Sequence, residues 1–299
     1  MKEKSSTRLR RLLAQKKTLV KPGAHNALAA RIIEQAGFTC CGVTGYGVSV
    51  SLLGRPDVGL TTMSEVVMVA RYIAQAVDIP VIADADTGFG NAINVMRTVE
   101  EFIGAGVAAI HIEDQVAPKR CGHVAGKEVI PLAEMVGKIR AADRVRRELD
   151  PDFLLIARCD ARGVAGGSVD DLVTRANAYL DAGADMIFPE ALESADEFAR
   201  FAKEIQAPLI ANMTEFGKSP LFTVKQLSEF GYRGVLFPVT LLRVAMKSVD
   251  SALRQLADQG TQTGFIDDMQ TRADLYELLG YADFDQRDRG YFGGRTDQQ

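Results

Sequence analysis

Two rhythms of apolar residues alternate along this chain. Short, near-continuous apolar runs occupy residues 18–24, 38–43, 80–86, 106–113, 153–159, 185–190, 208–212 and 234–238. Between them apolar positions recur at helical spacing, over 25–36, 64–77, 131–148, 168–182, 195–205, 223–230 and 241–259. A further helix is expected after the turn Thr87-Gly88-Phe89-Gly90-Asn91, and residues 44–57 read as a turn followed by a loop. Apolar runs that do not alternate belong to strands covered on both faces, as in parallel sheets. Helix, glycine and apolar strand recur as Gln35-Ala36-Gly37-Phe38, Gly104-Ala105-Gly106-Val107, Asp181-Ala182-Gly183-Ala184 and Glu229-Phe230-Gly231-Tyr232. Each glycine fits the left-handed conformation that ends a helix. Eight strand–helix units in 299 residues predict a closed TIM-type (β/α)8 barrel rather than an open doubly wound sheet. No GxGxxG follows the first strand, which argues against a dinucleotide site.

A basic amphipathic segment over 6–17, with Leu9, Leu12 and Leu13 on one face, precedes the first strand. No linker-like composition shift divides the chain, so residues 1–299 read as one domain, with a core over about 18–259 and a helical extension over 260–292. That extension carries Met269, Leu275, Tyr276, Leu278 and Leu279, which call for cover by the barrel or by a partner subunit.

Composition narrows the function classes. With 47% hydrophobic and 25% charged residues the chain can build a large core. A net charge of −4 gives no electrostatic reason to bind nucleic acid or an anionic membrane. No apolar run is long enough to span a bilayer, and residues 1–17 lack an apolar signal-peptide core. The four cysteines, Cys40, Cys41, Cys121 and Cys159, have no CxxC spacing, so reduced thiols in a cytoplasmic enzyme are expected.

In such a barrel, chemistry sits at the C-terminal ends of the strands. Those ends carry Thr44, Asp84 with Asp86, His111 with Glu113, Arg158, Glu190 and Asn212, with Arg243 just after the eighth. Asp84 and Asp86 are two apart in a strand and point to one side. Two such carboxylates repel unless a cation or proton separates them. Hard oxygens suit Mg2+ or Mn2+, with Glu113 placed to hold a metal-bound water, and no His or Cys pair has zinc spacing. Arginines beside a hard cation suit a small di- or tricarboxylate. After the fourth strand comes Lys119-Arg120-Cys121-Gly122-His123, where neighbouring cations favour a thiolate, although a lone thiol can also be a buried hydrophobe. This loop is expected to close over a substrate, with Gly122 and Gly126 as its flexible points.

Asp84-Ala85-Asp86-Thr87-Gly88-Phe89-Gly90, Glu113-Asp114-Gln115, Lys119-Arg120-Cys121-Gly122-His123 and Ala157-Arg158-x-Asp160 resemble the isocitrate lyase/phosphoenolpyruvate mutase superfamily, over about residues 19–281. The cysteine loop is similar to that of its carbon–carbon lyase branch, and one phosphonomutase branch, acting on carboxyphosphonoenolpyruvate, also keeps it. Within the lyases, Phe188-Pro189-Glu190-Ala191, Asn212-Met213-Thr214-Glu215-Phe216-Gly217 and Met269-Gln270-Thr271-Arg272 resemble the 2-methylisocitrate lyases. The resemblance implies Mg2+ on Asp84 and Asp86. It implies substrate contacts from Thr44, Gly45, Tyr46, Asp57, Cys121, Gly122, Arg158, Glu190, Asn212, Met213, Thr214, Arg243 and Arg272. It also implies catalytic roles for Cys121, Arg158, Glu190 and His123, and homotetramers whose last helix swaps between subunits. The implied reaction is retro-aldol-type cleavage of 2-methylisocitrate to pyruvate and succinate, with Cys121 as acid and Tyr46, Glu190 or a metal-bound hydroxide as base. Related lyases acting on 2,3-dimethylmalate, oxaloacetate or isocitrate, or a carboxyphosphonoenolpyruvate phosphonomutase, are the alternatives. The chain departs from the pattern at three places. Thr44-Gly45-Tyr46-Gly47 stands for the usual Ser-Gly-Gly-Gly, Gly42 for an upstream Tyr, and Cys159 for the usual Thr.

Overall fold

The computed structural model describes residues 3–15 and 17–291, so Met1, Lys2, Lys16 and Phe292, from the terminal stretches singled out above, lie outside the described residues. The chain divides into two compact units, Met1–Leu242 and Arg243–Gln299.

The first unit is built on eight strands: β1 (Leu19–Ala24), β2 (Cys41–Val43), β3 (Val81–Asp84), β4 (Ala109–Glu113), β5 (Leu154–Cys159), β6 (Met186–Pro189), β7 (Ile210–Asn212) and β8 (Gly234–Phe237). They hydrogen-bond in the order β6-β5-β4-β3-β2-β1-β8-β7, every pair parallel. A parallel bridge between Ile187 and Leu209 joins β6 to the approach of β7 and closes the ring. This is the expected TIM-type barrel, and the strands are shorter than their apolar runs. Residues 38–40, expected within the second strand, precede β2, because the ladder with β3 begins only at Cys41–Val81.

The covering helices are α2 (Ala27–Gln35), α4 (Met63–Ala76), α5 (Ala92–Gly104), α6 (Leu132–Leu149), α7 (Val169–Asp181), α8 (Ala195–Glu204) and α9 (Val224–Phe230). All but α6, which follows Pro131, start on a side-chain cap, with reciprocal Thr62–Glu65 and Asn91–Asn94 boxes opening α4 and α5. Gly37, Gly106, Gly183 and Gly231 all have positive φ, as the repeat requires. Residues 44–57, expected to be a turn and loop, are largely helical: α3 (Gly45–Val48) runs into a π-turn at Ser49–Leu53. The Thr44 hydroxyl caps this turn by accepting from Gly47 N–H, a local bond that the short apolar pattern did not reveal.

At the N-terminal ends of the strands, Leu19, Cys40, Ile82, Ala109, Leu154, Met186 and Ile210 form one apolar layer inside the barrel. Helix α1 (Ser5–Ala14) drives Leu9, 1% exposed, into that layer. Ser6 donates to Asp150 at 2.7 Å and Arg10 Nε to the Asp152 carbonyl at 2.8 Å, which fixes α1 across the barrel floor.

Helix α10 (Thr240–Gln259) starts at the end of the first unit and continues into the second. There a short 3-10 stretch (Thr263–Asp268), α11 (Arg272–Leu279) and α12 (Tyr281–Tyr291) follow. Tyr276 and Tyr281 stack with ring centroids 4.5 Å apart. No helix among the described residues is long and apolar enough to cross a membrane.

Candidate active site

The C-terminal ends of β3, β4, β5, β6 and β7 bring Asp84, Glu113, Arg158, Glu190 and Asn212 to one rim. Arg158 is buried and grips three carboxylates: Glu113 at 3.2 Å, Asp160 at 2.9 Å and Glu190 at 3.1 Å. Its guanidinium, expected from the sequence to face a substrate carboxylate, is spent on protein carboxylates in this state. Glu190 also pairs with His123 Nε2 at 2.8 Å and accepts from Asn212 Nδ2 at 3.3 Å. His123 Nδ1 accepts from Lys218 N–H, so its hydrogen sits on Nε2 and faces Glu190. Burial disfavours the Glu190 charge, but Arg158 and His123 outweigh it and hold Glu190 below the usual carboxylate range.

The carboxylate pair lies beside this group. Asp84 Oδ2 accepts from Gly45 N–H at 3.2 Å and Oδ1 from Asp86 N–H at 3.0 Å. Asp86 itself has φ 45°, a left-handed turn that swings its side chain away from the strand direction. Burial would raise Asp84, yet His111, Lys119 and Arg158 bring it down to about 2. His111 is pushed down to about 3 by its own burial, so at neutral pH the lysine and arginine carry that effect. Burial and repulsion from Asp84 and Asp57, against the pull of Lys119, push Asp86 up to about 6. Asp84 is thus the more readily ionised of the pair, and a divalent cation between them would bring Asp86 down as well. The donors fit such an ion. A Cβ on Gly45 would stand 2.6 Å from Asp84 Oδ2 and 3.3 Å from Asp86 Oδ1, so both oxygens converge on one small space. Glu113 Oε1 is buried with no hydrogen-bond partner, and its acid form is strongly favoured by burial, against the Arg158 charge. Among the described residues no group of three or more His, Cys, Asp and Glu side chains forms a metal site. An ion held by two carboxylates is then completed by water and substrate oxygens, the usual habit of Mg2+.

The cysteine loop lies over this rim. Lys119 reaches in to Asp57 at 2.6 Å and Asp86 at 2.8 Å. Asp57, expected to touch substrate, is therefore bound to Lys119. Gly122 packs directly on Arg158 and Glu190, where any Cβ would collide. This glycine, expected to be a flexible point, serves close approach, whereas Gly126 does take positive φ, 80°. The expected thiolate is corrected too. Burial raises Cys121 above the ordinary thiol range, and Glu190 and Asp57 add to it, against the His123 N–H and Arg158. The two cations thought to acidify it are directed elsewhere: Lys119 to carboxylates, and Arg120, exposed, to the Ala125 carbonyl. Cys121 is a half-buried thiol, as a proton donor should be.

The other expected contacts are placed as follows. Thr44 caps α3, Tyr46 lines a cavity of about 670 Å3 together with Asp57, Lys119 and Cys121, and Asp84, Asp86 and Arg158 are not part of its wall. Met213 is buried in the core and its sulfur accepts from Phe222 N–H. Thr214 is half-buried after β7. Arg243 on α10 and Arg272, first residue of α11, belong to the second unit and are exposed there. Sequence reasoning singled out His111 at its strand end and Gln115 in a motif without giving either a partner, and it missed Lys127. Strand position is what pointed to His111; the contacts of Gln115 and Lys127 run through a loop path that no local pattern reveals.

This geometry can hold a divalent ion, neutralise a polycarboxylate and donate a proton from a thiol. Comparison with known proteins agrees with it. The phosphoenolpyruvate phosphomutase family model matches residues 9–257. A 2-methylisocitrate lyase from Aeropyrum pernix is 49% identical over 94% of this chain and 89% of its own. A 2,3-dimethylmalate lyase from Eubacterium barkeri is 44% identical over 97% of this chain and 99% of its own. Among solved structures, oxaloacetate acetylhydrolase bound to 3,3-difluorooxalacetate superposes with TM-score 0.92 at 36% identity, covering 98% of both chains. Phosphonopyruvate hydrolase, solved with oxalate and Mg2+, superposes with TM-score 0.85 at 32% identity, covering 96% of this chain and 98% of that one. The eight-stranded barrel and these matches over nearly the whole chain show the isocitrate lyase/phosphoenolpyruvate phosphomutase superfamily, to which this chain belongs.

Proposed function

We propose that this chain is a divalent-metal-dependent carbon–carbon lyase that cleaves 2-methylisocitrate to pyruvate and succinate. The observation that carries the reading is the place of half-buried Cys121, between Lys119, which reaches Asp86, and Gly122, which packs on Arg158 and Glu190. Asp84 and Asp86 would hold Mg2+, or Mn2+, which when bound polarises the substrate's hydroxyl and α-carboxylate oxygens. Arg158 exchanges part of its carboxylate set for a substrate carboxylate. The substrate hydroxyl gives its proton to a base, the role left to Tyr46 on the cavity wall beside Cys121, the C2–C3 bond breaks, and its electron pair passes into the departing carboxylate as an enediolate. Arg158 and Asn212 stabilise that charge. Cys121 then protonates the carbon, giving succinate, and the oxygen left on C2 becomes the pyruvate carbonyl. Glu190 is already fully engaged as an acceptor from Arg158, His123 and Asn212, so it orients donors and does not serve as the base.

A second reading, cleavage of 2,3-dimethylmalate, is favoured by one observation: Tyr46 lines the cavity beside Cys121 where a smaller residue would leave room for another carboxylate. Both readings place the enzyme in the cytoplasm as a homotetramer. Incubation with 2-methylisocitrate, 2,3-dimethylmalate, isocitrate and oxaloacetate, with and without EDTA, tests them. EDTA-sensitive pyruvate and succinate from the first acid are expected. Glyoxylate from isocitrate, propionate from dimethylmalate, or turnover untouched by EDTA would displace this reading.

A further inference from the structure

The two residues that flank Cys121 are each tied by their backbone to a single carboxylate oxygen. On one side, Gln115 binds the Arg120 backbone twice: Arg120 N–H donates to Gln115 Oε1 at 2.9 Å, and Gln115 Nε2 donates to the Arg120 carbonyl at 2.9 Å. The same Nε2 donates to Asp160 Oδ1 at 3.2 Å. On the other side, Lys127 Nζ donates to the Gly122 carbonyl at 2.5 Å and to that same Asp160 Oδ1 at 2.6 Å. Gln115 is 1% exposed, Lys127 4% and Asp160 0%. Asp160 in turn receives Arg158 Nε and Nη2 at 2.9 and 3.1 Å, and its own N–H donates to Asp114 Oδ1 at 2.8 Å. The base of the loop is closed separately, by an antiparallel bridge between Gln115 and Val129 and by Ile130 N–H donating to the Asp114 carbonyl. The Gln115 and Lys127 side chains are therefore not needed to close the loop at its base. They act on its Cys121 segment, and Gly163 leaves the space in which the Lys127 ammonium lies, since a Cβ there would collide with it.

We propose that Gln115 and Lys127 are paired positioning residues, which hold Cys121 at a set height above Arg158 by clipping the backbone on both sides of it to Asp160. The proposal rests on the reading of Cys121 as the proton donor and Arg158 as the substrate anchor. It makes one carboxylate, Asp160, the common reference for both, so that acid and substrate stay in register. Charge-assisted bonds in a dry interior are suited to this, because leaving any one partner unpaired there is costly.

The test uses the ligand-free and the turning-over enzyme. Lys127→Met and Gln115→Met remove the clips. Gly163→Ala keeps every charge and crowds the ammonium off its place, which guards against a fold lost through a buried unpaired Asp160. In each variant the rate of Cys121 alkylation by iodoacetamide is followed by peptide mass, across pH, to its alkaline plateau. Cys40, Cys41 and Cys159, all fully buried, serve as internal reports of unfolding. The expected result is a plateau rate raised at least about tenfold at Cys121 alone, with kcat lowered about 10- to 100-fold and KM changed less than about threefold, as a small misplacement of a reacting group brings. A plateau rate equal to wild type in all three variants, or a loss confined to KM, overturns the proposal. The alkylation result needs no substrate, so it decides the clips even if 2-methylisocitrate proves not to be turned over.

Discussion

Cys121 changes character between its neighbours in sequence and its neighbours in space. Lys119 and Arg120 suggested a thiolate, but the ammonium lies on Asp57 and Asp86, and burial, with Glu190 and Asp57 adding to it, outweighs the His123 N–H and Arg158 at the sulfur. A thiol raised in this way is active as an acid only while protonated. The rate should therefore be level on that limb below the ordinary thiol range and fall as pH climbs through the raised value; a kcat–pH profile measured at saturating metal reads this directly. Cys121→Ser removes the proton of suitable strength and keeps the shape. Turnover should drop by about 10^2 to 10^4, while Mn2+ binding and the melting temperature stay near wild type. A serine variant within about threefold of wild type would give the proton delivery to another group.

At the level of elements, the strand ends were legible and the loops were not. A parallel strand announces itself by a continuous apolar run, and its last polar residue must then point to the rim, which placed Asp84, Glu113, Arg158, Glu190 and Asn212 correctly from the sequence alone. The π-turn at Ser49–Leu53 and the ion pairs of Lys119 and Lys127 were not visible there. They depend on how a loop returns across the barrel, with partners as far apart in sequence as Lys119 and Asp57. Helix α1 shows what an amphipathic pattern does deliver: its apolar face predicted a packing partner, and Leu9 meets the floor of the barrel. Leu9→Ala should cost about 2–5 kcal/mol in urea unfolding, because the strands around the hole are held by their ladders and cannot collapse into it. The site at the other end should keep its KM.

For the whole molecule, the apolar face of the second unit sets the expectation. Met246, Val249, Leu253 and Leu256 on α10 are all exposed and recur at spacings that keep them on one side of the helix. An apolar stripe of this length is costly to leave in water. Sedimentation equilibrium should report a tetramer, and Leu253→Asp with Leu256→Asp should lower the assembled mass; a wild-type monomer at micromolar concentration would remove the assembly from the account.

The seal that α1 places on the barrel floor has a consequence for traffic. Leu9 is 1% exposed within the lower apolar layer, and a barrel interior packed by side chains is no pore. Traffic to Asp84 and Arg158 therefore belongs to the opposite rim, where Lys119 of the thiol loop reaches Asp86 and Gly122 packs on Arg158. A single stretch of chain then couples access to proton delivery, so a change that slows its movement should slow both together.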